Sequence, residues 1–84
     1  MKEYICRVCG MEYSTPTWND ELDATFDICN CCSVEFGIQD THYDGVIEYR
    51  EDWIRNGAKW GNPKMKPDGW DLEKQLKNIP EKWR

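Results

Sequence analysis

Along residues 2–36, apolar and polar residues alternate in short runs broken by turn residues: EYIC, then MEYS, TFDIC and SVEF. Successive side chains of a strand point to opposite faces, so this alternation predicts short β-strands with one face turned inward. Between Cys9 and Cys29 the polar stretch STPTWNDELDA, with Pro16 and its acids, predicts a loop. From about residue 46 the period lengthens. In VIEYREDWIRNG, Val46, Ile47, Tyr49, Trp53 and Ile54 fall on one helical face, with Asp44 as the N-cap and Gly57 as the stop. AKWGNPKMKP reads as loop, broken by Gly61, Pro63 and Pro67. A short helix over DLEKQLKNI follows, capped by Asp68 or Asp71, with Leu72, Gln75, Leu76 and Ile79 on one side and Pro80 ending it. The chain shows no internal repeat, low-complexity tract or long linker. It reads as one α+β domain over 1–84, with a ribbon over 2–40 and a helical part over 44–84.

A chain of 84 residues buries only about 60–65% of its unfolded surface, so its core alone is marginal and a staple is expected. Five cysteines can supply one. The beginning, MKEYICRVCG, lacks the apolar run of a signal peptide, and no stretch nears the roughly 18 apolar residues of a membrane span. The expectation is a cytoplasmic protein off the membrane, where thiols stay reduced and paired CxxC motifs bind metal. An odd number of cysteines fits four ligands plus one better than a disulfide framework.

Cys6-Arg-Val-Cys9-Gly10 and Cys29-Asn-Cys-Cys32-Ser33 are two CxxC units with 19 residues between them, within the range of four-cysteine zinc sites. Each such turn puts two sulfurs on one face, and backbone N–H groups beyond the second cysteine can donate to the thiolates. Cys6, Cys9, Cys29 and Cys32 then complete a closed tetrahedron around one structural Zn²⁺, leaving Cys31 as the spare thiol. Gly10 suits the positive φ after the second cysteine of the first turn; Ser33 is less permissive and predicts a less regular second turn. Cys31 reads as a small semi-buried residue at the turn tip, and the acidic surroundings argue against a reactive thiolate. Four thiolates leave no position for water, which argues against hydrolytic zinc. His42, ten residues past Cys32, reads as an ordinary loop histidine.

A second metal loop can be written over Asp40-Thr-His42-Tyr-Asp44-Gly45 and on to Glu51, which follows most of the calcium-loop pattern. Asp40, Asp44 and Glu51 would be its carboxylates. His42 is a soft donor where a hard oxygen is wanted, and Gly37 breaks the entering helix. The plainer reading is that Asp44-Gly45 forms a turn capping the next helix.

Charge separates the two halves. Residues 1–49 carry two basic and ten acidic side chains, a net of −8, whereas residues 50–84 carry nine basic and six acidic, a net of +3. Nucleic acid is a poor partner for the acidic half, and the basic tail is interspersed with acids. A basic protein is the partner that this charge suits. Of the five tryptophans, Trp53 and Trp60 are read as core, while Trp18 and Trp83 are candidates for exposed contacts. Trp18 with Asp20, Glu21, Asp23 and Asp27 would form a partner-binding loop of one aromatic anchor and a rim of acids.

With these residues in view, MKEYICRVCGMEY resembles the first knuckle of rubredoxins, with Tyr4 and Tyr13 flanking CxxCG. That resemblance implies one iron on four cysteines and one-electron transfer. It covers about 13 residues, and the second knuckle, CNCCS, departs from it. CxVCG, ICxCCxxEFG, YRxxWIxxGAxW and WDxxxQLxNI are together similar to a family of small bacterial cysteine-rich proteins named for their CPCC motif. This resemblance implies a zinc ribbon with an appended helical part and makes Cys31 part of the motif, although Asn30 and Ser33 replace its proline and glycine. Similar small acidic proteins occur among the immunity partners of bacterial toxins.

The sequence therefore points to a zinc-stabilised protein-binding module of the immunity-protein kind, with a rubredoxin-like iron carrier as the alternative. No nucleophile–base pair is evident. An enzyme acting through Cys31 or the carboxylates ranks below both.

Overall fold

The computed structural model describes residues 2–20 and 22–84. Its first half is built from two hairpin turns with the same bond pattern. In the first, Ile5 bridges Glu12, Cys6 N–H donates to Met11 O at 2.9 Å and Gly10 N–H to Cys6 O at 3.0 Å. In the second, Ile28 bridges Glu35, Cys29 N–H donates to Val34 O at 2.8 Å and Ser33 N–H to Cys29 O at 3.0 Å. Tyr13 N–H to Tyr4 O and Phe36 N–H to Asp27 O extend the parallel one step further. Gly10 and Ser33 both lie in the left-handed region, at φ +83° and +68°. The second turn is therefore as regular as the first, and Ser33 accepts the strain that Gly10 avoids. The N–H groups expected to reach the thiolates instead close each turn on the carbonyl of its first cysteine.

The chain thus carries an internal repeat, contrary to expectation. Ile5-Cys6-x-x-Cys9-Gly-Met-Glu-Tyr13 and Ile28-Cys29-x-x-Cys32-Ser-Val-Glu-Phe36 carry the same residue classes in the same order. The four expected strands reduce to single bridges, because each arm pairs once before the chain curls to carry a sulfur inward. The ladder of the fold lies in the supposed loop: β1 (Trp18–Asp20) pairs antiparallel with β2 (Asp23–Ala24), irregularly, with Trp18 opposite Ala24. Glu3 bridges Trp18 and ties this ladder to the first hairpin.

Helix α1 spans Tyr43–Arg55. Its N-cap is His42, and Asp44 is the second helical residue, within the first turn, where a carboxylate favours the positive end of the helix. It ends as Gly57 turns to φ +101° and Ala58 N–H reaches back to Trp53 O at 2.8 Å. Val46 and Trp53 are buried on its inner face, whereas Ile54 is exposed at the edge. Helix α2 is only Leu72–Leu76, with Asp71 Oδ1 capping Lys74 N–H at 3.2 Å. Short 3₁₀ turns cover Pro63–Met65 and Glu81–Trp83. Among the described residues, no helix is long and apolar enough to cross a membrane.

The helical half is fastened to both turns. Tyr49 Oη donates to Cys32 O at 3.1 Å, and Arg50 donates to Val8 O at 2.6 Å and Arg7 O at 2.7 Å. The segment after Trp60 adds Gly61 N–H to Cys31 O at 3.0 Å and Asn62 N–H to Asn30 O at 2.9 Å. It approaches so closely that a Cβ at Gly61 would collide with Ser33 Oγ. Trp70 fills the corner with its ring edge-on to Trp60 at 5.6 Å and to Trp53 at 6.5 Å.

Candidate metal centre

The two hairpins face each other, and their tips bring the sulfurs of Cys6, Cys9, Cys29 and Cys32 within 4.8 Å of one another. All four residues are buried. The Cys6–Cys32 and Cys9–Cys29 sulfurs are each 3.7 Å apart, far beyond the roughly 2.05 Å of a disulfide. A tetrahedral ion with metal–sulfur bonds of about 2.3 Å has sulfur–sulfur edges of about 3.8 Å. The four cysteines are thus positioned to bind a metal ion.

The electrostatics fit a cation. Hydrogen bonding from the Cys32 thiol, then from Cys6 and Cys9, holds Cys29 well below the usual thiol range. Hydrogen bonding to Cys29 pushes Cys9 up, and burial pushes Cys32 up. Four thiolates this close repel one another unless a divalent cation compensates their charge. Tyr13 Oη supports Cys29, donating to its sulfur at 3.1 Å while accepting from Asn30 N–H at 3.0 Å. Burial, followed by the neighbouring Cys29 thiolate, raises the Tyr13 phenol well above its usual range, so it stays a donor.

Cys31 stands outside this group of four. It is fully buried, not half-exposed at the turn tip. Its sulfur accepts from Gln75 Nε2 at 3.2 Å. The same amide nitrogen donates to Cys9 O at 3.1 Å, and Gln75 Oε1 accepts from Trp70 Nε1 at 2.7 Å. Gln75 therefore spans the cysteine turns and the tryptophan cluster with both ends of its amide engaged. Its own backbone leaves no room for a side chain at Gly10, since a Cβ there would collide with Gln75 O.

The expected partner loop is reorganised around Arg7, which the sequence did not single out. Arg7 is only 3% exposed, and its guanidinium lies between the rings of Trp18 at 3.9 Å and Trp83 at 4.1 Å. Its edges are held by both carboxylate oxygens of Glu3, at 2.7 and 2.9 Å, and by Asp40 O at 2.8 Å. Trp18 is accordingly 4% exposed and its Nε1 donates to Asp40 Oδ2 at 3.1 Å. It is no surface anchor, because covering a buried cation occupies its face. Trp83 is half-buried for the same reason. Asp20, Asp23 and Asp27 are exposed as acids, while Glu21 lies outside the described residues.

Asp40 likewise cannot serve a calcium loop. It is fully buried, one oxygen taken by Trp18 and the other by Gly37 N–H at 2.7 Å. Asp44 and Glu51 stand exposed on α1, which already runs through Gly45, so the sharp loop turn is absent. His42 is exposed at the start of α1, away from the cysteines.

Two relatives share this chain's sequence over most of its length. The uncharacterized protein YozI of Bacillus subtilis strain 168 is 35% identical over 94 aligned positions, covering 92% of this chain and 73% of that one. The uncharacterized protein YoaQ of the same strain is 32% identical over 93 positions, covering 92% and 74%. No family model matches the chain, and no solved structure matches it.

Proposed function

The chain belongs to the family of the Bacillus subtilis proteins YozI and YoaQ, and we propose that it is a small protein-binding module whose fold a structural Zn²⁺ closes. The observation that carries this reading is the burial of all four sulfurs at the meeting of two matched hairpins, with α1, α2 and the segment after Trp60 all fastened to those hairpins. Zn²⁺ bound there supplies a cross-link between the turns. Four thiolates complete its shell, and their burial keeps water and substrates away from it. What the ordered chain then offers its surroundings is a shaped, acidic surface. The acidic half, suited to a basic partner, supports the finer reading of an immunity protein that neutralises a bacterial toxin.

The alternative is a one-electron carrier with iron on the same thiols. The two matched turns, each backed by a ring at Tyr13 or Phe36, favour it as the kind of site rubredoxins use. Metal content, visible spectrum and voltammetry of the protein purified without added metal separate the two. One colourless zinc per chain supports the module. A red protein with a reversible iron couple overturns it in favour of the carrier.

A further inference from the structure

From two joined clefts beside α1, we infer a docking surface for a basic amphipathic helix of a partner protein, an inference that rests on the protein-binding reading. A cleft of 190 Å³ next to the β1–β2 ladder is lined by Leu22 and Phe26, and a groove of 640 Å³ along α1 by Ile38, Asp44 and Glu48. The two share Thr41 and His42, so they form one continuous surface.

Its apolar end is costly to maintain in water. Leu22 is 96% exposed, Phe26 56% and Ile38 55%, although the same chain buries much of its remaining apolar surface. Phe26 also holds φ +63°, a conformation that a bulky side chain rarely adopts. Its ring lies over Gly37, where any Cβ would strike it. Backbone strain and an absent side chain thus combine to keep one aromatic face turned outward. Apolar residues gathered in this way mark interaction surfaces.

The other end selects the occupant. Asp44 and Glu48 are one turn apart on α1, and among the described residues no cation pairs with either; Arg55 is engaged by Asp52 at 2.6 Å. Arg50, the other cation of α1, is turned inward to backbone carbonyls. Asp23 and Asp27 are exposed next to Leu22 and Phe26 in sequence and add to the acidity on this side of the chain. A second copy meeting this surface with the same surface would set these acids against one another, whereas lysines or arginines on a helix whose other face is apolar would match both ends.

The test is an NMR titration of the metal-loaded chain with a designed leucine–lysine amphipathic peptide, alongside the same peptide with glutamate for lysine. The expected result is saturable shifts at Leu22, Phe26, Ile38, Asp44 and Glu48, weakened by salt and absent with the glutamate peptide. Asp44→Lys with Glu48→Lys should lower the affinity about tenfold or more. Phe26→Asn, which suits the left-handed backbone, should keep the metal content and melting temperature yet lose binding. Absence of saturable shifts overturns the inference. Shifts gathered instead at the cleft between Tyr4 and Pro80 overturn this location while leaving a protein-binding role standing. Concentration-dependent self-association that buries Phe26 replaces the partner with a second copy. The underlying reading fails by a different measurement, the reversible iron couple.

Discussion

Tyr49 and Arg50, adjacent on α1, each hold the backbone of a different cysteine turn, Tyr49 at Cys32 O and Arg50 at Val8 O. Side chains at neighbouring helical positions diverge by about 100°, which lets one helix reach both turns at once. Arg50 adds bonds to Arg7 O and to Trp83 O at 2.6 Å, so its loss orphans several carbonyls. Arg50→Ala should cost about 2–4 kcal/mol and Tyr49→Phe about 1 kcal/mol in chemical unfolding of the metal-loaded protein. Equal effects would contradict this division of labour.

Removing a ligand tests the centre more severely. Cys9→Ser or Cys32→Ser should lower zinc stoichiometry and leave the residues 2–40 unfolded, since structural zinc supplies on the order of 10 kcal/mol in finger-type peptides. Circular dichroism and thermal melting matching the parent would refute this. Cys31→Ala, outside the four, should keep one metal per chain and lose only the packing and hydrogen bond around Gln75, about 1–2 kcal/mol.

The contact between Gly61 and Ser33 predicts a rescue. Gly61→Ala should destabilise by about 1–3 kcal/mol, because the new methyl meets Ser33 Oγ. Ser33→Gly removes that oxygen and also relaxes a positive φ, so it should stabilise the parent by about 0.5–1 kcal/mol and recover most of the Gly61→Ala loss. Additive effects in a double-mutant cycle would show that the two residues do not meet.

Acid should release the metal. A thiolate held by the cation has its folded-state pKa depressed below the unfolded value near 8.5, so its stabilisation is fully present above that pH and lost as pH falls. Cys29 is displaced in this direction even by its thiol neighbours. Cys9 and Cys32 are displaced upward without the ion, by hydrogen bonding to Cys29 and by burial respectively, so a cation has to displace their protons to bind. Melting temperature and metal retention, followed from weakly alkaline to acidic pH, should fall together. A melting temperature that rises on acidification would oppose the assignment.

Residue spacing carried the metal ligands and both helices far because their signals are local. The two CxxC units, Gly57 after Trp53 and Asp71 before Leu72 each act within a turn of themselves. The apolar period misplaced the N-cap by two residues, since His42 caps through its extended backbone without a side-chain bond. Long-range relationships were not legible in this way. Nothing near Arg7 announces that it will lie between Trp18 and Trp83, or that Asp40 will close over it. Once those contacts form, a tryptophan that was a candidate surface contact and a carboxylate that was a weak calcium candidate are both consumed. The repeat is legible: Ile-Cys-x-x-Cys followed by Glu and an aromatic occurs twice. Its signal lies in the residues flanking the cysteines, not in the cysteine spacing alone.

The matched hairpins carry a kinetic consequence as well. Each contributes half of a coordination shell, so neither can hold an ion firmly before the other arrives. Until then the 19 residues between Cys9 and Cys29 form an open loop whose closure is entropically opposed. A metal bound here would couple its own capture to closure of that loop, and the rate at which newly made chains reach this fold should then rise with the free metal around them.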